Sequence, residues 1–279
     1  MKRWCIFPAL LVLAGCGGAG EPAFEGIAVE DPGPVHVHGL GIDPADGALF
    51  IATHTGLFRV GAGENRAGRV GESRQDTMGF SVAGPNRFVG SGHPDLRTDL
   101  PPLLGLIEST DAGRTWTPIS LLGKADFHVL RSAGSLVYGF DSGNERLLVS
   151  GDRGRTWAER DAPEPFLDLA PRPGHPTAAI ASGSVLYRTT DGGKRWSALG
   201  GEAGYLAWPR PDRLFQVTGT GHVQLSRDAG ETWRPRGSIG GEPAAFLAVS
   251  ATELYAALHD GTIKVSRDAG RNWSIRSRP

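Results

Sequence analysis

Residues 109–116 read Ser-Thr-Asp-Ala-Gly-Arg-Thr-Trp, and the phrase returns four more times, as SGDRGRTW (150–157), TTDGGKRW (189–196), SRDAGETW (226–233) and SRDAGRNW (266–273). Its aspartates, Asp111, Asp152, Asp191, Asp228 and Asp268, are spaced 41, 39, 37 and 40 residues apart. A period of that length marks one supersecondary unit repeated around an axis or along a solenoid. Each phrase is built as a turn. The aspartate carboxylate and the Ser or Thr two residues before it can accept backbone N–H groups, and Gly113, Gly154, Gly193, Gly230 and Gly270 supply positive φ. A β-rich run leads into each turn (LLGLIES, RLLVS, VLYRTT, HVQLS, TIKVS), and the closing tryptophan is expected to start the return strand and cover the turn.

Working back from each phrase, two further β runs precede the lead-in strand. The blades so read are FHVLRS, SLVYGF, RLLVS, WAERD; FLDLAP, TAAIAS, VLYRTT, WSAL; YLAWPR, LFQVTG, HVQLS, WRPRG; and FLAVS, LYAAL, TIKVS, WSIRS. Upstream, MGFSVAG, RFVGSG and LLGLIES make a second blade, and VHGLGID, ALFIAT, GLFRVG and RAGRVG a first whose turn phrase has degenerated. The expectation is an all-β, six-bladed β-propeller over residues 35–279, with seven blades as the alternative count.

Before it, Lys2 and Arg3 precede an apolar run from Trp4 to Leu13, too short to span a bilayer, and Leu13-Ala14-Gly15-Cys16 follows as a lipobox. Residues 1–15 are read as a lipoprotein signal peptide, Cys16 as the lipidation site, and 16–34 as a Gly/Pro-rich tether in which FEGIAV can add an edge strand. The expected location is therefore outside the cytoplasm, membrane-anchored through the lipid alone, at the cell surface or in a periplasm. Cys5 lies in the removed part, so the mature chain has no disulfide to form. The formal net charge of −1 and the scattered arginines leave no footprint for nucleic acid, and a monomer is expected.

Overlaying the six innermost strands by their apolar pattern sets His38, Met78, His128, Leu167, Leu206 and Leu247 at one equivalent position. Two residues earlier, on the same strand face, stand His36, Asp76 and Asp126 in the first three blades, against Pro165, Gly204 and Ala245 in the others. One half of the ring can ligate; the other is apolar or small. The loop between the second and third strands opens on the same end of a blade as the start of the first, and there lie His54, His93 and, in the sixth blade, His259 with Asp260. His93 belongs to the longest insertion, residues 91–105. His36, His38, His54, Met78, His93 and His128 are the candidate metal ligands. A thioether among imidazoles suits copper; zinc would use the histidines and an aspartate and leave Met78 without a role.

The phrase SxDxGxxW resembles the Asp-box, or bacterial neuraminidase repeat, of sialidases and related propellers. That resemblance implies a turn between the third and fourth strands of each blade, on the face away from the usual binding face. The stretch HVHGLGIDPADGALFIATHTGLFRV, with QDTMGF, SGHPDLR and LPPLLGLIESTDAGRTW, resembles exported bacterial proteins named glycosyl-hydrolase-like by homology. Glycoside hydrolysis is thus the enzymatic alternative, with Asp76, Asp95 and Asp126 as carboxyl candidates and Arg97 beside them. The sialidase Phe-Arg-Ile-Pro motif is represented only by Phe58-Arg59-Val60-Gly61, without its proline. Tyr138, Tyr187, Tyr205 and Tyr255 fall inside expected strands, with no glutamate partner apparent for a nucleophile. A third class is a docking platform that binds a protein or glycan without chemistry, with loop 91–105 as the docking feature.

Overall fold

The computed structural model describes residues 33–279; the signal peptide, Cys16 and FEGIAV readings fall outside them. Six four-stranded antiparallel sheets follow one another along the chain, each with its strands in sequence order, and no described residue is helical. They form a six-bladed β-propeller. The innermost strands are Val37–Ile42, Asp76–Gly84, Phe127–Ala133, Asp168–Arg172, Gly204–Arg210 and Pro243–Ala248. The fourth strand of blade 1 is reduced to Gly68–Arg69, where the turn phrase has degenerated.

Alternating residues on the blades face their neighbours, and six apolar clusters result, one for each blade interface. Among the described residues, the ring closes without a strand exchanged between its ends. Val37, Leu40, Ile51 and Phe58 of blade 1 pack on Ala245, Tyr255, Ile263 and Val265 of blade 6. At the rim, Arg66 bridges to Arg278 and the Arg276 guanidinium donates to the Gly61 carbonyl at 2.8 Å.

All five turn phrases fold alike. In the first, the buried Ser109 hydroxyl donates to Asp111 Oδ1 at 2.8 Å and accepts the Gly113 N–H at 2.8 Å. Asp111 then accepts the Thr115 N–H at 2.9 Å and the Thr115 hydroxyl at 2.6 Å. The last phrase repeats this, with Ser266 to Asp268 at 2.8 Å and the Asn272 amides at 2.9 and 2.7 Å. Two consecutive residues are left-handed, not the glycine alone: Ala112 (φ 59°) precedes Gly113 (φ 83°), and Arg153 (φ 62°) precedes Gly154 (φ 81°). The hydrogen bonds hold the non-glycine in a region that costs roughly 1–2 kcal/mol. Glycine is required for a second reason, since a Cβ at Gly154 would lie 2.0 Å from Leu106 of the preceding blade. The tryptophans stand one residue ahead of the outer strand, as Trp157 does before Ala158–Arg160, and lean on their own sheet. Trp157 lies 5.0 Å from Phe127, and its indole N–H donates to Ser120 of the blade before at 2.9 Å.

Candidate functional site

The innermost strands enclose a central channel of about 1110 Å³. His38, Met78, His128, Leu167, Leu206 and Leu247, one per blade, all line it. The wall therefore divides as the strand register predicts, into a His/Met half over blades 1–3 and a leucine half over blades 4–6.

In a four-stranded meander, the second-to-third connection opens on the end where the first strand begins; the five repeated turns join third to fourth strands and lie at the other end. His54 occupies that connection in blade 1, between Leu49–Thr53 and Gly56–Val60, and His93 ends the second strand of blade 2. Both thereby meet the start of the next blade's innermost strand. His54 Nδ1 lies 2.6 Å from Asp76 Oδ2, and His38 Nε2 lies 3.6 Å from Asp76 Oδ1. Among the described residues, His38, His54 and Asp76 form the one group of His, Cys or acidic side chains whose donor atoms all lie within 4.8 Å of one another. His38 Nε2 and Asp76 Oδ1 are buried with no hydrogen-bond partner in the protein. Burial, with His54 beside it, pushes the His38 imidazolium down to about 4 against the opposing pull of Asp76, so His38 is neutral near pH 7.

His36 joins this group by a different route from the strand alternation expected of it. It precedes the first strand with φ 52°, and the register with the neighbouring strand shifts between Val37 and Gly39. This left-handed residue and the bulge turn its ring onto His54, with centroids 5.2 Å apart, while His38 meets His54 edge-on at 4.4 Å. His54 is thus the middle imidazole of three. Met78 is half-buried in the channel wall.

A second constellation sits one blade further on. Asp126 Oδ2 lies 2.9 Å from His128 Nε2 and 3.5 Å from His93 Nε2, while His93 Nδ1 lies 2.9 Å from the Pro102 carbonyl. The hydrogen bond to Asp126 raises the His128 pKa.

The remaining candidates are placed elsewhere. Asp95 accepts the backbone N–H groups of Arg74 and Arg97 at 2.8 and 3.0 Å and is forked by the Arg97 guanidinium, which also reaches the Glu72 carbonyl. Those bonds, the Arg97 side chain foremost, hold its carboxyl far below the ordinary range. The pair ties residues 72–74 to the long loop; a general acid would need the opposite shift. Arg59 pairs with Asp46 at 2.7 Å, outside the channel lining. Two tyrosines do have glutamate partners, which the sequence did not disclose. Tyr255 donates to Glu253 at 2.7 Å, and Tyr187 bonds Glu164; neither tyrosine lines the channel. His259 and Asp260 are exposed, and Asp260 caps its own turn through the Thr262 N–H at 2.9 Å. Sequence reasoning also missed Asp168, buried in the leucine half, which accepts the Arg131 guanidinium of blade 3 and the Leu206 N–H of blade 5. Its alternation with Leu167 pointed it away from the channel, and no sequence signal named its partners.

No protein-family model matches the chain, and no curated protein matches it in sequence. Solved structures match by fold. A GH74 enzyme from Niastella koreensis is similar at TM-score 0.63 and 14% identity, over 87% of this chain and 45% of that one. The GH74 xyloglucanase from Xanthomonas campestris gives TM-score 0.55 and 16% identity, again over 87% and 45%. YCF48 from Cyanidioschyzon merolae gives TM-score 0.53 and 13% identity, over 88% of this chain and 86% of that one. This chain thus spans less than half the length of those two GH74 enzymes and most of the length of YCF48. The likeness establishes a β-propeller fold shared with hydrolases and with YCF48.

Proposed function

We propose that the protein is an exported, lipid-anchored propeller that captures a transition-metal ion, copper in the first instance, at the loop-face mouth of its channel. His38, His54 and Asp76 hold the ion and His36 stands beside them. The single observation carrying this reading is the facing pair of buried, unpartnered atoms, His38 Nε2 and Asp76 Oδ1, with His54 on the other carboxylate oxygen. Leaving such atoms without partners costs about 1–3 kcal/mol apiece, which a bound cation offsets. Two imidazoles and a carboxylate suit Cu(II) or Zn(II), and copper stands higher in the affinity order for such donors. Met78, next round the ring, adds a thioether that favours copper. Export and lipidation at Cys16 rest on the basic residues, short apolar run and LAGC sequence, and the five repeated turns are read as Asp-boxes from their pattern and bonding.

The test is metal analysis and thermal melting of protein made without a chelating tag. An ion at 100 times its Kd adds about 2.7 kcal/mol, or about 5–10 °C in Tm for a domain of this size. His38→Ala and His54→Ala should each remove the part of the shift that this site supplies and leave the circular dichroism spectrum unchanged. Absence of any shift with Cu(II) and Zn(II) refutes the reading. A docking role has its own supporting observation: Leu96 is fully exposed and Leu100 is 43% exposed on the long loop of blade 2. Hydrolysis of aryl glycosides, lost on substituting Asp76 or Asp126, would instead support the enzymatic reading.

A further inference from the structure

The contact that builds the mouth of the channel is repeated by the symmetry of the ring. In blade 1 the histidine at the second-to-third connection, His54, reaches the aspartate that opens the next innermost strand, Asp76. In blade 2 the equivalent histidine, His93, reaches the equivalent aspartate of blade 3, Asp126, at 3.5 Å. Each aspartate also meets the imidazole at the channel position of an innermost strand, His38 for Asp76 and His128 for Asp126. The series stops there, because blade 4 carries Pro165 in place of a third aspartate.

We infer that His93, Asp126 and His128 form a second cation site, so that the sector binds two transition-metal ions, one on either side of the Met78 strand. This rests on the metal reading of the first group and extends it to a stoichiometry.

Two observations favour a cation over a plain hydrogen-bonded pair. The Asp126 side chain is 8% exposed, yet its Oδ1 has no hydrogen-bond partner in the protein. Buried carboxylate oxygens are not normally left so. The second is the pattern of charge compensation. Asp95 has Arg97, Asp141 has Arg146, and Asp168 has Arg131, whereas the ion pairs of Asp76 and Asp126 are to imidazoles alone. Asp141 also receives the Asp126 N–H at 3.1 Å, which brings a further carboxylate close to Asp126. Among the described residues no arginine pairs with Asp76 or Asp126, and a bound ion supplies the positive charge that this stretch of wall lacks. Side chains of His93 and His128 are 42% and 41% exposed, leaving both free to turn onto an ion held by the Asp126 carboxylate through Oδ1.

The experiment is a titration of the full chain with Cu(II) and separately with Zn(II), read by calorimetry and by elemental analysis after desalting, with electron paramagnetic resonance on the copper form. Wild type is expected to bind two ions and to give two copper signals. The His93→Ala/His128→Ala variant should bind one ion with the first-site signal retained, and His54→Ala should bind one with the other signal. Asp126→Asn, which keeps the shape of the buried side chain, should lose the same ion as the double histidine variant. If wild type binds one ion and the double variant still binds it unchanged, the second site falls and the first stands. Two ions retained in the double variant also overturn the assignment, and no binding at all removes both sites. Matched circular dichroism spectra and Tm of the metal-free variants verify that a lost ion reflects lost ligands.

Discussion

Replacing Arg131 with methionine isolates a buried carboxylate that ties three blades together. Asp168 is 1% exposed and accepts the Leu169 N–H at 2.8 Å, the Leu206 N–H at 2.8 Å and the Arg131 guanidinium, so it joins blades 3, 4 and 5 along the channel wall. Burial pushes its carboxyl upward, and Arg131 is the foremost opposing influence. Breaking a buried pair by removing one partner costs about 3–5 kcal/mol. Arg131 is 29% exposed and two amides would remain on Asp168, which argues for the lower end, about 3 kcal/mol. In a domain of this size that lowers Tm by about 6–12 °C.

The sign of the pH dependence follows from the same geometry. A carboxyl whose folded pKa exceeds its unfolded value contributes stability that is lost as pH rises through the folded pKa. Without Arg131 the folded pKa rises further, so the deficit of Arg131→Met should shrink as the buffer is acidified toward pH 5. The companion variant Arg131→Met/Asp168→Asn removes the stranded charge and should recover about 2 kcal/mol. Urea denaturation of the wild type, both single variants and the double variant closes the cycle. A deficit below about 1 kcal/mol for Arg131→Met, or no recovery in the double variant, would show that the pair is solvated and that the wall is held by apolar packing alone.

The repeated turns give two further outcomes. Ser109→Ala removes the acceptor of the buried Gly113 N–H and should cost about 1–3 kcal/mol in a thermal melt, Ser266→Ala costing a similar amount; a change within 0.5 kcal/mol would show water replacing the hydroxyl. Acid should unfold the ring through these turns. Hydrogen bonds from Thr232 hold Asp228 at about 2; at Asp111 burial pushes upward, but the bonds from Thr115 and Ser109 win and hold it at about 2 as well. Both lie below the ordinary 3.8, so their contribution is whole above about pH 5 and is lost as pH falls from about 4 to about 2. Ellipticity followed from pH 7 to 2 should hold level and then collapse in that window; an unfolding midpoint above pH 5 would place the acid-sensitive groups elsewhere.

Much of the fold is legible because its information is local. Eight residues specify each repeated turn, and their aspartate, serine and glycine bond one another, so the reading does not depend on what surrounds them. The blade count follows from the spacing, and the ring position of His38, Met78, His128, Leu167, Leu206 and Leu247 follows from a shared apolar register. The left-handed residue ahead of the glycine escapes notice because nothing about Ala112 or Arg153 as residue types selects positive φ; the hydrogen bonds of the turn impose it. The degenerate first blade is legible by elimination, but its two-residue outer strand is not.

The site is less legible because its pairs come from different blades. His54 and Asp76 are 22 residues apart and meet only when blade 2 rotates against blade 1. Strand alternation placed His36 correctly in the sector but for a reason that fails, since a bulge and positive φ set its direction. Alternation likewise gave no warning that Asp95 is consumed by Arg97, a contact inside one loop, while the similar-looking Asp126 is left with an unpartnered oxygen. Asp95 is reached by an arginine and Asp126 by imidazoles alone, a difference that depends on where the long arginine side chains end, which neither spacing nor periodicity encodes. The proposed cation sites stand at Asp76 and Asp126, the two carboxylates of the channel mouth that the fold pairs with imidazoles and not with arginines.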